Sequence, residues 1–187
     1  MKVWKNTNTL DGYDNGILFT SNKIDAEILL LGSKSIDLDE FPNIKGIFRA
    51  GIGNENVPET KAREKNIIVN YPSQETINII YDETSAYTCN LIFRMLYNDI
   101  GTIDPWVKYD RKPISHKTLL VIGAGNIGNR VATNMRSFIK VLKFDTLQDK
   151  ISSLPNLIKQ SDCITLHIPM NKDNENFMSK ERLSLMK

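Results

Sequence analysis

The chain has 187 residues, of which 41% are hydrophobic and 25% are charged, and its formal net charge at pH 7 is +2. Because this net charge is small, the overall electrostatic field is weak and gives no reason to expect nucleic acid or an anionic membrane surface as a partner. The polar N-terminus is unlike a signal peptide, and no apolar run approaches the ~20 residues that a membrane helix needs. These features predict an ordinary cytoplasmic globular protein.

The two cysteines, Cys89 and Cys163, are far apart in the sequence and lack the CxxC spacing of metal and redox sites. Both lie in apolar segments, where a thiol behaves as a small hydrophobic side chain. We therefore expect both thiols to be buried and reduced, which is consistent with a reducing compartment.

The first part of the chain alternates short apolar runs with polar, periodic stretches, a pattern typical of strands and helices in a parallel sheet. The predicted elements are strands at 26–31, 44–50 and 67–70, with a helix at 57–65 between the last two strands. Gly51 and Gly53 end the second strand. Ligands of open parallel sheets bind beyond the carboxyl ends of strands, so the amides of this turn could hold an anion. The alternative is a plain tight turn.

A long helix is predicted over residues 82–97, where apolar side chains recur at helical spacing without Gly or Pro. The polar stretch that follows, residues 98–117, contains Gly101, Pro105 and Pro113 and is typical of a surface linker. The predicted organisation is a small domain at 1–82, a joining helix with a linker at 83–117, and a second domain at 118–187. The ligand cleft is expected between the two domains.

Residues 118–145 combine an apolar strand, three glycines at GxGxxG spacing, a helix, a second strand and an acid, in the order of a dinucleotide-binding unit. Gly123, Gly125 and Gly128 let the strand turn sharply into a helix while backbone amides approach a pyrophosphate. Asp145 is placed to accept both hydroxyls of the adenosine ribose, unless it is an ordinary turn carboxylate. Because it would repel a 2′-phosphate, the pattern favours NAD over NADP.

After this unit, a helix start is predicted near residues 154–158 and a third strand at 162–168, which ends because Pro169 has no N–H to donate. The connection to the third strand is short, so we expect its helix to be reduced or absent. Residues 179–187 are predicted to be helical, with Ser179 as the N-cap. The predicted fold class is α/β: a small α/β domain, then a Rossmann-type domain with a parallel sheet that is incomplete at the C-terminus.

Five blocks, in the right order, resemble the D-isomer-specific 2-hydroxyacid dehydrogenases, and among these the phosphoglycerate dehydrogenases most. The blocks are residues 49–57, Glu83 with Arg94, residues 130–138, residues 165–169 and residues 181–187. The resemblance implies an NAD-dependent oxidoreductase that acts on the CH–OH group of a D-2-hydroxy acid, with 3-phosphoglycerate as one candidate. It also implies a homodimer in which the joining helix packs against the partner subunit.

The resemblance implies a substrate site at the turn after the second strand, for a small 2-hydroxy or 2-oxo acid. Ile52 and Gly53 would present backbone amides to the substrate carboxylate, and Arg49 could add charge for a phosphate; the alternative for Arg49 is a solvated strand end. The implied cofactor-binding residues are Gly123, Gly125, Asn126, Ile127, Gly128, Asp145, His167, Ile168 and Pro169.

The sequence departs from the family pattern at two positions. Asn126 stands where the family commonly has arginine, so one charge-assisted contact to the pyrophosphate is lost and the affinity for the cofactor is expected to fall. Pro58 replaces the usual acid after Val57.

Hydride transfer from a 2-hydroxy acid needs an acid–base group for the hydroxyl proton and a fixed cation that orients the carboxylate. In the family these are a histidine paired with a glutamate and an arginine, all located beyond the last residue of this chain. His116 precedes the first nucleotide strand, and His167 matches a wall of the cofactor domain, so neither is assigned as the base. We predict no catalytic residue within the chain, which is expected to be inactive alone.

Two other readings remain open at this point. The chain could be a non-catalytic module of the same fold that binds NAD or a partner, which predicts cofactor binding without turnover. It could also be a degenerate fragment whose exposed sheet edges favour aggregation. A longer reading frame that contains the missing arginine, glutamate and histidine would support the enzyme.

Overall fold

The computed structural model describes residues 1–97, 101–102, 104–107 and 112–187. The chain forms two compact units, residues 1–78 and residues 79–187, which we call the N-terminal unit and the C-terminal unit. The predicted linker at 98–117 lies in part outside the described residues, and the three-part division of the chain stays a prediction. None of the helices in the described ranges combines the length and apolar character needed to cross a membrane.

The N-terminal unit contains a parallel five-stranded sheet in the order β2-β1-β3-β4-β5. Its strands are β1 (Lys2–Lys5), β2 (Leu18–Phe19), β3 (Ile28–Leu31), β4 (Gly46–Arg49) and β5 (Ile68–Asn70), and helix α1 (Glu59–Glu64) connects the last two. The three predicted strands and the helix are confirmed with shorter bounds. The sequence did not indicate β1 and β2, because one carries a lysine at each end and the other has only two residues.

The core of the N-terminal unit lies on β3 and β4. Leu29, Leu31 and Ile47 are buried together with Leu38 and Phe41. A strand that is buried along its length reads as a continuous apolar run, which explains why β3 was visible in the sequence. The carboxyl ends of β3 and β4 therefore emerge from a rigid core.

The C-terminal unit contains a parallel three-stranded sheet in the order β7-β6-β8. Helix α2 (Gln74–Leu96) leads into this unit, and the other elements are β6 (Thr118–Ile122), α3 (Asn126–Met135), β7 (Lys140–Phe144), α4 (Leu154–Gln160), β8 (Cys163–Leu166) and α5 (Lys180–Leu183). The strand–helix–strand unit predicted over 118–145 and the third strand are confirmed. The connecting helix α4, which was expected to be reduced or absent, is present and has seven residues.

The central strand β6 is buried on both faces because its side chains alternate between two clusters. Leu119 and Val121 pack with α2 and α3, whereas Leu120 and Ile122 pack with α4. This alternation with period two is the usual pattern of a strand between two helical layers. It fixes the carboxyl end of β6, where the glycines begin.

Helix α2 begins well before the predicted start at residue 82. Pro72 precedes it, and the hydroxyl of Ser73 accepts the amide of Thr76 at 3.2 Å, a typical helix-capping contact. Only residues 74–76 of the helix are polar before Ile77, Ile79 and Ile80, so the sequence did carry an apolar signal for the earlier start that the predicted bounds left out. At the other end of the chain, the predicted N-cap is confirmed, because the hydroxyl of Ser179 accepts the amide of Arg182 at 3.4 Å.

Both cysteines are free thiols. Cys163 is buried, as expected, but Cys89 on α2 is only half-buried. Burial raises the pKa of each thiol above its usual value. Both side chains therefore stay protonated at neutral pH and serve as packing groups.

Candidate functional site

The turn after β6 brings the ends of three strands together at Gly123. This residue has φ of +93°, and a Cβ there would lie 2.5 Å from the carbonyl oxygen of His167, just after β8. Its amide donates to the carbonyl of Phe144, the last residue of β7, at 2.8 Å. Only glycine accommodates both the backbone conformation and the close approach.

The third glycine of the motif has a packing role in this structure. Gly128 is buried in the first turn of α3, and a Cβ there would overlap the carbonyl oxygen of Gly123. Its neighbour Ile127 packs its side chain into the core shared by α2 and α3. Any contact of these two predicted residues with a cofactor would therefore use their backbone amides.

The N-terminus of α3 is open to a ligand. Gly125 is its N-cap, no side chain caps the helix, and the first turn carries no acidic residue. A Cβ at Gly125 would meet nothing within 4 Å, so the approach to the helix end is clear. Since the first amides of a helix lack intrahelical partners and carry the positive end of its dipole, this end suits an anion.

The side chain of Asn126 turns toward α2. Its Nδ2 donates to the hydroxyl of Tyr81 at 3.1 Å. One turn further along α3, Arg130 donates to the carboxylate of Asp82 at 2.7 Å and to the carbonyl of Asn126 at 3.0 Å, and its guanidinium lies 5.1 Å from the Tyr81 ring centroid. These contacts fix the start of α3 on α2.

Asp145 connects the two loops that follow β6 and β7. Its Oδ2 accepts the amide of Ala124 at 2.8 Å, and its Oδ1 accepts the amide of Leu147 at 2.9 Å. The carboxylate of Asp149 accepts the amide of Asp145 at 2.7 Å and closes this turn. Each oxygen of the Asp145 carboxylate retains a lone pair for a further donor, such as a ribose hydroxyl.

A cleft of about 780 Å³ opens at the carboxyl ends of these strands. Six of the nine predicted cofactor residues line it: Gly123, Gly125, Asp145, His167, Ile168 and Pro169. Asn126 lines a neighbouring hollow beside α3. The size fits a cofactor-binding pocket, and the position follows the rule for open parallel sheets.

The sequence did not identify the outer wall of the cleft. This wall comes from the loops after β7 and β8, including Thr146, Leu147, Asn171, Phe177 and Arg182. The guanidinium of Arg182 stacks on the Phe177 ring at 4.4 Å from its centroid. The sequence offered only an indirect signal for this wall, because segments that follow the carboxyl ends of neighbouring parallel strands lie at the same edge of the sheet.

The two histidines lie in different surroundings. His167 is half-buried, its Nε2 lies 3.1 Å from the hydroxyl of Thr165, and burial lowers its pKa below 6.5. The ring is therefore neutral at pH 7 and forms part of the cleft wall. His116 is exposed in a short 3-10 helix just before β6, at the amino end of that strand and away from the cleft.

In the N-terminal unit, Arg49 ends β4 and is 8% exposed. The alternative considered for it, a solvated strand end, is therefore wrong. Its Nε donates to Oδ1 of Asn56 at 3.1 Å, and Nη1 lies 3.5 Å from the carbonyl oxygen of Leu31. Ile52 and Gly53 follow in a partly buried turn at the carboxyl end of the same strand.

A tyrosine that the sequence did not single out stands near this turn. The hydroxyl of Tyr71 donates to the carboxylate of Glu59. Burial, reinforced by this hydrogen bond, raises the pKa of Tyr71 to about 12. The phenol therefore remains a neutral hydrogen-bond donor at physiological pH.

A parallel sheet, a tight glycine turn into an uncapped helix and a carboxylate at the end of the next strand together define a dinucleotide-binding domain of the Rossmann type. Residues 102–187 match the sequence model of the D-isomer specific 2-hydroxyacid dehydrogenase family, NAD binding domain. Residues 102–187 are therefore similar to the NAD-binding domain of this family.

Curated relatives from several organisms are similar over most of the chain. This chain is 27% identical to the hydroxypyruvate reductase of Thermotoga maritima, and the match covers 91% of this chain and 56% of that protein. It is 29% identical to the D-3-phosphoglycerate dehydrogenase of Methanocaldococcus jannaschii, over 87% of this chain and 34% of that protein. The chain thus spans about half, or less, of the length of these relatives.

Solved structures share the fold at low sequence identity. The TT0316 protein of Thermus thermophilus has a TM-score of 0.75 at 20% identity, with 100% of this chain and 71% of that chain covered. The D-lactate dehydrogenase of Aquifex aeolicus, solved with NAD and lactic acid, has a TM-score of 0.70 at 22% identity, with 100% and 66% covered. These likenesses confirm the predicted α/β fold.

Proposed function

We propose that this chain is part of an NAD-dependent oxidoreductase that interconverts a D-2-hydroxy acid and the corresponding 2-oxo acid. The observation that carries the proposal is the cleft of the C-terminal unit, which collects Gly123, Gly125 and Asp145 at one sheet edge beside the uncapped start of α3. The names of the relatives add hydroxypyruvate, glyoxylate, phosphoglycerate and lactate as candidate substrate types.

The residues of the cleft fit NAD. The amides at the start of α3 would hold the pyrophosphate, because a Cβ is missing where the phosphates must approach. The Asp145 carboxylate, fixed by two backbone amides, would accept the ribose hydroxyls. His167, Ile168 and Pro169 would form the wall beside the cofactor. Bound there, NAD would supply the hydride acceptor for oxidation of the hydroxy acid.

The substrate carboxylate would bind the amides of Ile52 and Gly53. Among the residues that the structure describes, neither amide donates to a protein acceptor. His167 is not proposed as the acid–base group, because its ring is a half-buried part of the cofactor wall.

Helix α2 favours a homodimer. Its described residues include an exposed apolar stripe of Tyr87, Leu91 and Met95, which are 64%, 38% and 67% exposed. Glu83 and Arg94 are exposed on the same helical face. Two antiparallel copies of α2 would cover the stripe and place Glu83 of each copy opposite Arg94 of the other.

A cytoplasmic location is part of the same proposal. Both thiols are free, and one of them is only half-buried. A reducing compartment keeps such thiols reduced.

Isothermal calorimetry on the 187-residue chain tests the cofactor site. We expect NAD to bind and NADP to bind more weakly. Asp145→Ala should weaken NAD binding by about tenfold or more, because a charge-assisted acceptor for two hydroxyls is lost. It should also narrow the difference between NAD and NADP, because the charge that repels a 2′-phosphate is removed.

Asp162→Ala is the matched control for this variant. Asp162 also accepts a backbone amide, that of Thr118 at 2.8 Å, but at the amino end of β6, opposite the cleft. It should lower stability and leave the NAD affinity unchanged. No heat with millimolar NAD on folded protein would refute the proposed function, and undiminished binding by Asp145→Ala would remove Asp145 from its role.

A further inference from the structure

Arg49 is a buried cation that has only neutral hydrogen-bond partners. Its guanidinium contacts the carboxamide oxygen of Asn56 and the carbonyl of Leu31. Within the described ranges of the chain, no carboxylate forms an ion pair with it. Burying an unpaired charge is costly unless a counter-charge comes close. An anion bound near Arg49 would therefore be stabilised by a charge that the fold already holds in place.

The guanidinium lies directly against the turn that follows β4. A Cβ at Gly51 would overlap Nη1 of Arg49, so the glycine is needed for this approach. The next two amides, those of Ile52 and Gly53, have no acceptor among the described residues. Free amides in front of a fixed positive charge favour an anion, and the exposed carboxylate of Glu55, which lies 2.6 Å from the position of a Cβ at Gly53, must turn away to admit it.

Asn56 ties this arrangement to the neighbouring loop. Its Oδ1 accepts from Arg49, while its Nδ2 donates to the carbonyls of Gly32 at 2.8 Å and Lys34 at 3.0 Å. One side chain thus connects the loop after β3, the loop after β4 and the buried cation. Both N–H donors and the oxygen of its carboxamide have partners within the protein, so Asn56 is not assigned a direct contact with a ligand.

We propose that Arg49 and Asn56 are positioning residues for a substrate carboxylate. Asn56 holds the amides of Ile52 and Gly53 in place, and Arg49 acts on the bound carboxylate from behind the turn. This inference rests on the proposed substrate role of that turn. It replaces the expected direct contact between Arg49 and a phosphate, because the guanidinium is buried and directed toward Asn56 and Leu31.

The test is a titration of the ¹⁵N-labelled 187-residue chain with D-glycerate, a small monocarboxylate, followed through amide resonances. We expect Ile52 and Gly53 to shift with D-glycerate and not with glycerol, its uncharged analogue. Asn56→Asp places a carboxylate beside Arg49 and cancels its charge, so binding should weaken by about tenfold or more. Arg49→Gln should have the same effect, whereas Arg49→Lys keeps the charge and should retain most of the binding.

Asn43→Asp is the matched control, because Asn43 also donates to a backbone carbonyl, that of Ile24 at 2.8 Å, away from the turn. It should bind D-glycerate as the unmodified chain does. Unchanged binding by Asn56→Asp and Arg49→Gln, or no D-glycerate shift at Ile52 and Gly53, would overturn the proposal. Addition of NAD to the same samples distinguishes failure of the positioning role from failure of the proposed function. If NAD shifts the Gly125 resonance but D-glycerate shifts nothing, only the positioning role is refuted. If neither NAD nor D-glycerate causes a shift, the proposed function is refuted.

Discussion

Gly123 and Gly125 stand two residues apart but have different structural requirements. Gly123 has a positive φ and lies against the His167 carbonyl, whereas Gly125 has φ of −74° and open space where a Cβ would be. The first is therefore required by the fold. The fold leaves room for a side chain at Gly125, so glycine is needed there only if a ligand approaches the start of α3.

Alanine at each position should separate these requirements. Gly123→Ala should lower the free energy of unfolding by at least about 2 kcal/mol, since backbone strain and a backbone clash add. Gly125→Ala should change stability by no more than about 1 kcal/mol but weaken NAD binding by about tenfold, because the new methyl group lies in the path of the phosphates. Denaturant unfolding and calorimetry measure the two effects. Equal NAD affinity of Gly125→Ala and the unmodified chain would contradict the assignment of this helix end.

His167 should make stability depend on pH. Burial lowers its pKa in the folded chain below 6.5, so in the unfolded chain the ring binds a proton at a higher pH than in the folded chain. The contribution of the neutral ring to stability is present above pH 6.5 and is lost as the pH falls through the lowered pKa. His167→Gln should reduce this loss, whereas His116→Gln, at an exposed site, should retain it. Thermal unfolding between pH 5.5 and pH 7.5, a range of about two pH units around the usual histidine pKa, is the measurement. Identical profiles for His167→Gln and the unmodified chain would contradict this account.

At the scale of elements, α2 combines two roles along one helix. One face buries Ser85, Ile92 and Leu96 in the C-terminal unit, and its Tyr81 and Asp82 hold the start of α3. The opposite face carries the exposed apolar stripe. The sequence revealed the helix but not this division, because apolar side chains occur all around it.

Charge reversal tests the proposed pairing of two α2 helices. Glu83→Arg should weaken the dimer by about tenfold or more, because arginines of the two copies would face each other. The double variant with Arg94→Glu should restore it, since the charges are then exchanged but complementary. Sedimentation velocity over a concentration series measures the dissociation constant. A dimer that is insensitive to Glu83→Arg, or an unmodified chain that stays monomeric at high concentration, would rule out this pairing.

The central strand β6 is an element that its local sequence is sufficient to predict. Its five residues are all buried, and an apolar run followed by glycines at fixed spacing already indicated a strand that ends in a tight turn. The short strands β1 and β2 were missed because their pattern is too brief to stand out from a polar background. In such strands, pairing with a neighbour decides the structure more than local propensity does.

For the whole molecule, local patterns in the sequence were sufficient to predict a Rossmann-type unit, NAD as cofactor and Asp145 as the acid at the end of the second strand. Such patterns carry this information because a strand, a glycine turn and a helix are each specified within a few residues. Only the tertiary structure placed residues 171–182 on the wall of the cleft, buried Arg49 and paired it with Asn56. These arrangements depend on contacts between segments that meet only when the sheets form, and no spacing along the chain encodes such contacts.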